Sequence, residues 1–364
     1  MNIKSLLLGS AAALVAVTGA RAADAVVIAE PEPVEYVRVC DAYGAGFFYI
    51  PGTETCLKFD GYVRMQVNTN SAGYSDPDTT NPNDLKDGWQ FVTRARLNVD
   101  ARSDTEWGTL RGFMRIQADA RTNADAGYGM DQAIVQLGGF YVGYTESAFA
   151  APWGLPGISR FGILPTDGGG SYAYQQRQQI GYTFSGGNGV FGSIVLEDDV
   201  NAGEGYMPDV VGVIGISQGW GGVWAKVGYD ESAEEFGALI GMQYNIPNMA
   251  GSNIRAGVFY ASGDGQFVNA GFDQNAYAVS APISGDASEW VVAAAYTHKF
   301  NSQWSATIGG QYFDVFSGDD AWMVEGAVVW VPVTNFEVRL EGNYADTDFS
   351  GDAWTGFLRF TRYF

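Results

Sequence analysis

Five arginines carry most of the charged chemistry of this sequence: Arg64, Arg94, Arg96, Arg111 and Arg115. Each falls on the polar side of a stretch in which polar and apolar residues alternate, the period of a β-strand. In the first stretch Leu57, Phe59, Gly61, Val63, Met65 and Val67 share one face, and Lys58, Asp60, Tyr62, Arg64, Gln66 and Asn68 the other. The second sets Phe91, Ala95, Leu97 and Val99 against Arg94, Arg96, Asn98 and Asp100. The third sets Leu110, Met114 and Ile116 against Arg111, Arg115, Gln117 and Asp119. Three successive strands thus put five guanidiniums on one wall. Asp60, Asp100 and Asp119 share that wall, while Glu146 and Asp167 in a later long connection can oppose it. Facing charged walls around a narrow aqueous path select ions by sign and orient polar solutes. The alternative is a set of local salt bridges that only stabilise the wall.

Catalytic chemistry finds little support. The single histidine, His298, shares a face with Val292, Ala294 and Tyr296 and reads as an interfacial residue rather than a base. No Ser or Asp joins it in a hydrolytic cluster. The acid pairs Asp76 with Asp78 and Asp346 with Asp348 lie in loops and read as solvated, with divalent-ion bridging to anionic lipid the weaker alternative. No catalytic residue, metal or cofactor is expected.

The elements that must position the arginines follow from composition. The chain begins MNIKSLLLGSAAALVAVTGARA, a Lys, an apolar run and a small-residue site, which is a secretory signal peptide over residues 1–22 cut between Ala22 and Ala23. The run is too short, and too broken by Gly9 and Ser10, for a membrane anchor. Loss of Lys4 and Arg21 takes the formal charge from -21 to -23, which disfavours nucleic acid as a partner and suggests a cation-preferring mouth. Beyond the signal no run approaches the ~20 apolar residues of a spanning helix. Aromatics are 14% and glycines number 49, as expected of a transmembrane β-barrel, which crosses the bilayer with alternating strands.

In an oxidising compartment the only cysteines, Cys40 and Cys56, read as a disulfide closing a short loop, worth roughly 3 kcal/mol in the chain-entropy model. They close a periplasmic N-terminal segment, residues 23–56, ahead of a barrel over 57–364. Alternating segments number sixteen, starting near residues 57, 89, 109, 131, 140, 178, 190, 210, 220, 236, 253, 289, 304, 321, 336 and 353. Gly-rich runs blur the fourth, fifth and eighth, so fourteen or eighteen strands also fit. Tight turns are expected at residues 103–107, 138–139, 185–189, 218–219, 301–303 and 332–335, with long loops at 69–88, 145–177, 198–209 and 262–288. Short turns at one end and long loops at the other is the barrel pattern, with both termini at the turn end. Aromatics at strand ends, among them Trp89, Trp220, Tyr260, Trp304, Trp330 and Tyr344, suggest two interfacial girdles. The connection over 145–177 is too long and too rich in Pro, Trp, Phe and Leu to be a simple solvated loop. It is expected to fold into the lumen and narrow it, with an external lid as the other arrangement.

The last strand, AWTGFLRFTRYF, alternates Trp354, Leu358, Phe360 and Phe364 with Thr355, Arg359 and Thr361. A terminal Phe364 on such a strand resembles the assembly signal of bacterial outer-membrane barrels, although Arg362 stands where that signal has an apolar residue. Together with MNIKSLLLGSAAALVA, EYVRVCDAYGAGFFYIPGTETCLKFDGYVR, QLGG at 136–139, YMPDVVG at 206–212 and RFTRYF, the chain resembles an alphaproteobacterial general porin of the rhizobial and Brucella type. The resemblance implies a sixteen-stranded outer-membrane barrel, a homotrimer in lipid and lipopolysaccharide, an inward third loop, and passive diffusion of small hydrophilic solutes. It also implies attachment to peptidoglycan through a mature Ala23-Asp24 terminus. A solute-specific channel and a structural tether between membrane and wall are the competing functions.

Overall fold

The computed structural model describes residues 38–71, 88–122, 124–150, 172–199, 207–270, 287–348 and 351–364. Asp167 and the cleavage residues Ala22 and Ala23 lie outside them. Sixteen barrel strands follow one another: β1 (Cys56–Asn70), β2 (Trp89–Thr105), β3 (Gly108–Arg121), β4 (Ala124–Leu137), β5 (Phe140–Glu146), β6 (Gln176–Ser185), β7 (Val190–Glu197), β8 (Asp209–Gln218), β9 (Gly221–Asp230), β10 (Glu235–Asn245), β11 (Asn253–Ala261), β12 (Ala287–Lys299), β13 (Trp304–Val315), β14 (Asp320–Val333), β15 (Phe336–Thr347) and β16 (Gly351–Tyr363). Each pairs antiparallel with the one before it, and β16 returns to β1 with Thr355 opposite Asn70 and Tyr363 opposite Tyr62. The sheet therefore closes on itself. Two further two-residue strands, Phe48–Tyr49 and Asn269–Ala270, pair with the edges of β1 and β12.

Alternation produces an inverted core. On β1 and β2, Val63, Phe59, Phe91 and Leu97 face outward and are exposed, whereas Gln66 and Arg94 on the opposite face are only 0% and 4% exposed. The pattern continues round the wall through Ile194, Ile214, Ile240, Val292, Ile308 and Leu340. So wide an apolar exterior is stable only against hydrocarbon. Aromatic contacts mark both rims of this band. Tyr260 and Trp290 lie 4.5 Å apart and Trp322 and Tyr344 5.5 Å apart at the loop end, and Trp304 stacks on Trp330 at 5.5 Å at the turn end. His298 belongs to the turn-end rim, its Nδ1 2.8 Å from the Tyr296 hydroxyl and its ring 4.4 Å from Phe300.

Strand starts agree with the sequence reading to within two residues, except for β4. That strand begins at Ala124 rather than near 131, because Gly127 and Gly129 hide its alternation. Loops are also less uniformly long than expected. The links over 231–234 and 316–319, at the loop end, are as short as the turns. Cys40 and Cys56 form the expected disulfide, with Cα atoms 5.9 Å apart, and Cys56 is itself the first residue of β1. Arg362 donates from Nη1 to the Asn335 carbonyl at 3.2 Å, so its charge rests on the adjoining turn.

Candidate functional site: the lumenal charged wall

The first three strands turn all five arginines toward the lumen, but they do not act as one group. Arg94 forks onto Asp119 of β3, Nε to Oδ1 at 2.7 Å and Nη2 to Oδ2 at 2.8 Å, a neutral bidentate pair. Arg111 forks onto Asp100 at 3.0 and 2.9 Å, and Arg102 holds the same carboxylate at 2.9 and 2.7 Å. This second group lies near the turn end. Arg96 and Arg115 instead converge on Asp131, at 3.8 and 3.3 Å, and Arg115 also lies 3.7 Å from Glu146 at the end of β5. Tyr62 sits between Arg64 and Arg96, whose guanidiniums are 5.3 and 5.1 Å from its ring. Arg64, Arg96, Arg115, Asp131 and Glu146 thus form a connected cluster at mid-wall, with three guanidiniums against two carboxylates. On β16, Arg359 continues the row, donating to Gln66 at 2.5 Å and lying 4.2 Å over Phe357.

Asp131 escaped the sequence reading for a geometric reason. Strict alternation from Gln132, Ile134 and Gln136 would point it outward into lipid. The register between β3 and β4 instead shifts there, with Arg115 opposite Gln132 and Ile116 opposite Met130. Asp131 is the extra residue of a β-bulge, a feature that re-aims a side chain. It turns inward, accepting from Gln117 Nε2 at 2.6 Å and Gln176 Nε2 at 3.3 Å besides its two arginines.

The described ends of the long connection after β5 pack against the inner faces of later strands. Phe149 is 1% exposed, with its ring 5.8 Å from Phe259 of β11 and 5.3 Å from Phe267. Its carbonyl accepts from Lys226 Nζ of β9 at 2.9 Å, and Ala148 N donates to Glu197 Oε1 of β7 at 2.7 Å. At the other end, Tyr172 lies 6.3 Å from Phe259 and its hydroxyl donates to Gln311 of β13. Arg177, fully buried, pairs with Asp209 at 3.2 Å and Glu197 at 3.7 Å and donates to Gln266 Oε1 at 2.9 Å. These anchors were also missed. Lys226 offered one signal, a lone basic residue inside the apolar run GGVWAKVGYD. Among the described residues no group of three His, Cys, Asp or Glu is placed to hold a metal ion.

A closed antiparallel barrel with a lipid-compatible exterior and a charged lumen is the architecture of an integral outer-membrane channel. The chain belongs to the porin subfamily, whose family model matches residues 24–356. It is 38% identical to porin Omp2b of Brucella neotomae and 37% identical to porin Omp2b of Brucella suis biovar 1, each over the full length of both chains. In fold it is similar to the outer-membrane channel DcaP of Acinetobacter baumannii, with a TM-score of 0.60 at 16% identity, covering 87% of this chain and 99% of that one. It is equally similar to an anion-selective porin of Comamonas acidovorans, with a TM-score of 0.60 at 11% identity, covering 85% and 100%. The protein is a passive diffusion channel of the bacterial outer membrane.

Proposed function

We propose that Arg64, Arg96 and Arg115, with Asp131 and Glu146, set the ion preference of this pore for small hydrophilic solutes. The observation that supports this reading is the convergence of two β-wall guanidiniums on Asp131 beside Glu146, where the long connection leaves β5. Charges in a narrow path act at close range in a medium of low effective dielectric, whereas loop charges beyond the ~8 Å Debye length are screened. Arg94, paired with Asp119, and Arg111, which shares Asp100 with Arg102 near the turn end, contribute less to it in this proposal.

The acidic chain gives modest cation preference overall, and the cluster opposes it with a transverse field that orients dipolar solutes. In planar bilayers the wild type passes current linear in voltage in simple salt. Replacing Arg96 and Arg115 together by Gln shifts the reversal potential under a salt gradient toward cations. An unchanged potential would place the selectivity elsewhere, and saturable block by one sugar or amino acid would mark a solute-specific channel instead.

The assembly completes the proposal. Residues 1–22 are removed on export, and the mature chain works as a homotrimer in lipid and lipopolysaccharide. Its Ala23-Asp24 terminus meets peptidoglycan. Lysozyme digestion releases the protein with muropeptide mass on its N-terminal peptide if that contact is covalent, and with a free Ala23 amine if it is not.

A further inference from the structure

Ahead of β1 the chain folds into a compact knuckle over residues 39–55. Val39 bridges to Phe48, Cys40 N donates to the Phe47 carbonyl at 3.0 Å, and Ile50 N donates to the Thr55 carbonyl at 2.9 Å. The disulfide ties its start to β1. The knuckle occupies a specific place at the seam of the barrel. β16 follows β1 only as far as Tyr62 in register, with Phe364 and Gly61 exchanging backbone bonds at 3.1 and 3.2 Å. Below that point Phe48 and Tyr49 pair with Leu57 and Cys56, so they take up strand edge that β16 leaves open.

Adjacent residues of the knuckle face opposite sides of the wall. Phe48 lies 6.1 Å from Phe59 on the outer face. Phe47 is buried against lumenal cations, 5.8 Å from Lys58 Nζ and 5.1 Å from the Arg102 guanidinium. Tyr43 lies 5.7 Å from the same guanidinium and donates its hydroxyl to Asp104 Oδ1 at 2.7 Å. Burial and that hydrogen bond push the hydroxyl up to about 12, so it remains a neutral donor at ordinary pH. Ring–cation contacts of this kind are electrostatically attractive. The rings therefore lie over side chains that line the lumen at the turn end.

We propose that this disulfide-closed knuckle is a second narrow element of the pore, at its periplasmic exit and in series with the arginine cluster at mid-wall. The inference rests on the pore reading of that cluster. Its occupants are the small hydrophilic solutes that pass the cluster; Tyr43 sets the size that leaves, and the buried Phe47 packs against it with ring centroids 5.8 Å apart. Two resistances in series add, so loss of the exit element raises the current.

Two variants test this against wild type in the same bilayers: Cys40→Ser/Cys56→Ser, which unties the knuckle, and Tyr43→Ala/Phe47→Ala, which keeps the disulfide. Heat-modifiable gel mobility establishes that each is folded. Both are expected to show higher single-channel conductance and liposome entry of larger oligosaccharides. If folded Tyr43→Ala/Phe47→Ala channels keep wild-type conductance and size limit, the exit element does not exist and the knuckle is only a rim cap. That arm decides the matter even if the cysteine variant does not assemble. Absence of current in the wild type would instead overturn the pore reading itself.

Discussion

Asp131 holds two guanidiniums that would otherwise repel each other across neighbouring strands. Its replacement by Asn keeps the shape and removes the charge, leaving Glu146 as the carboxylate beside Arg115. The reversal potential of Asp131→Asn should therefore move toward anions, opposite in sign to Arg96→Gln/Arg115→Gln. Equal movement of both variants in one direction would show that the cluster responds through shape, not charge. Lys226 makes a different contribution, because its Nζ holds the Phe149 carbonyl from across the lumenal face. Leaving a buried hydrogen-bonding group without its partner costs about 1–3 kcal/mol. Lys226→Met should lower thermal stability by that order and increase open-channel current noise as the base of the connection loses its anchor. Quiet channels would mean that packing of Phe149 on Phe259 and Phe267 suffices. At this scale the sequence was only partly legible. Arg64, Arg96 and Arg115 were readable from alternation. Asp131 was not, since a bulge breaks the very rule that locates it, and the pairing of Arg94 with Asp119 depends on register that no single strand encodes.

The seam between β1 and β16 shows what an element needs beyond its pattern. Gly61 sits where Phe364 ends the last strand, and a Cβ there would lie 2.0 Å from the Arg96 carbonyl oxygen. Only glycine lets β1, β2 and the terminal residue approach so closely. Gly61→Val should reduce the heat-modifiable folded fraction on gels, while Gly112→Ala, where the added Cβ meets nothing within 4 Å, should leave it unchanged. Equal yields would show that the seam tolerates a local shift. Most strand starts were legible because a wall with one side in lipid and one in a polar lumen imposes strict alternation. Legibility failed at β4, where small residues serve both faces equally well and leave no contrast to read.

For the whole molecule the decisive feature is the inverted distribution of polarity. Leu340 is 58% exposed on the outer wall while its neighbours Arg339 and Glu341 point inward. Leu340→Arg should cost about 2–4 kcal/mol if it stands near the bilayer midplane, whereas a polar replacement at an inward position should alter conduction more than folding. Folding titrations in detergent or lipid would separate the two. Barrel closure, too, was foreseeable from alternation alone, but the number of strands became definite only with the pairing of β16 to β1. That pairing gives the Cys40–Cys56 bond a mechanical meaning. Any tension on the chain ahead of Cys40 passes through sulfur straight to the first residue of β1 and bypasses residues 41–55. Drawn along its own axis, β1 is loaded in shear, so its hydrogen bonds to β2 and β16 share the force instead of parting one after another. A cell-wall attachment at this terminus would then pull on the barrel as a whole and leave the shape of its exit undisturbed.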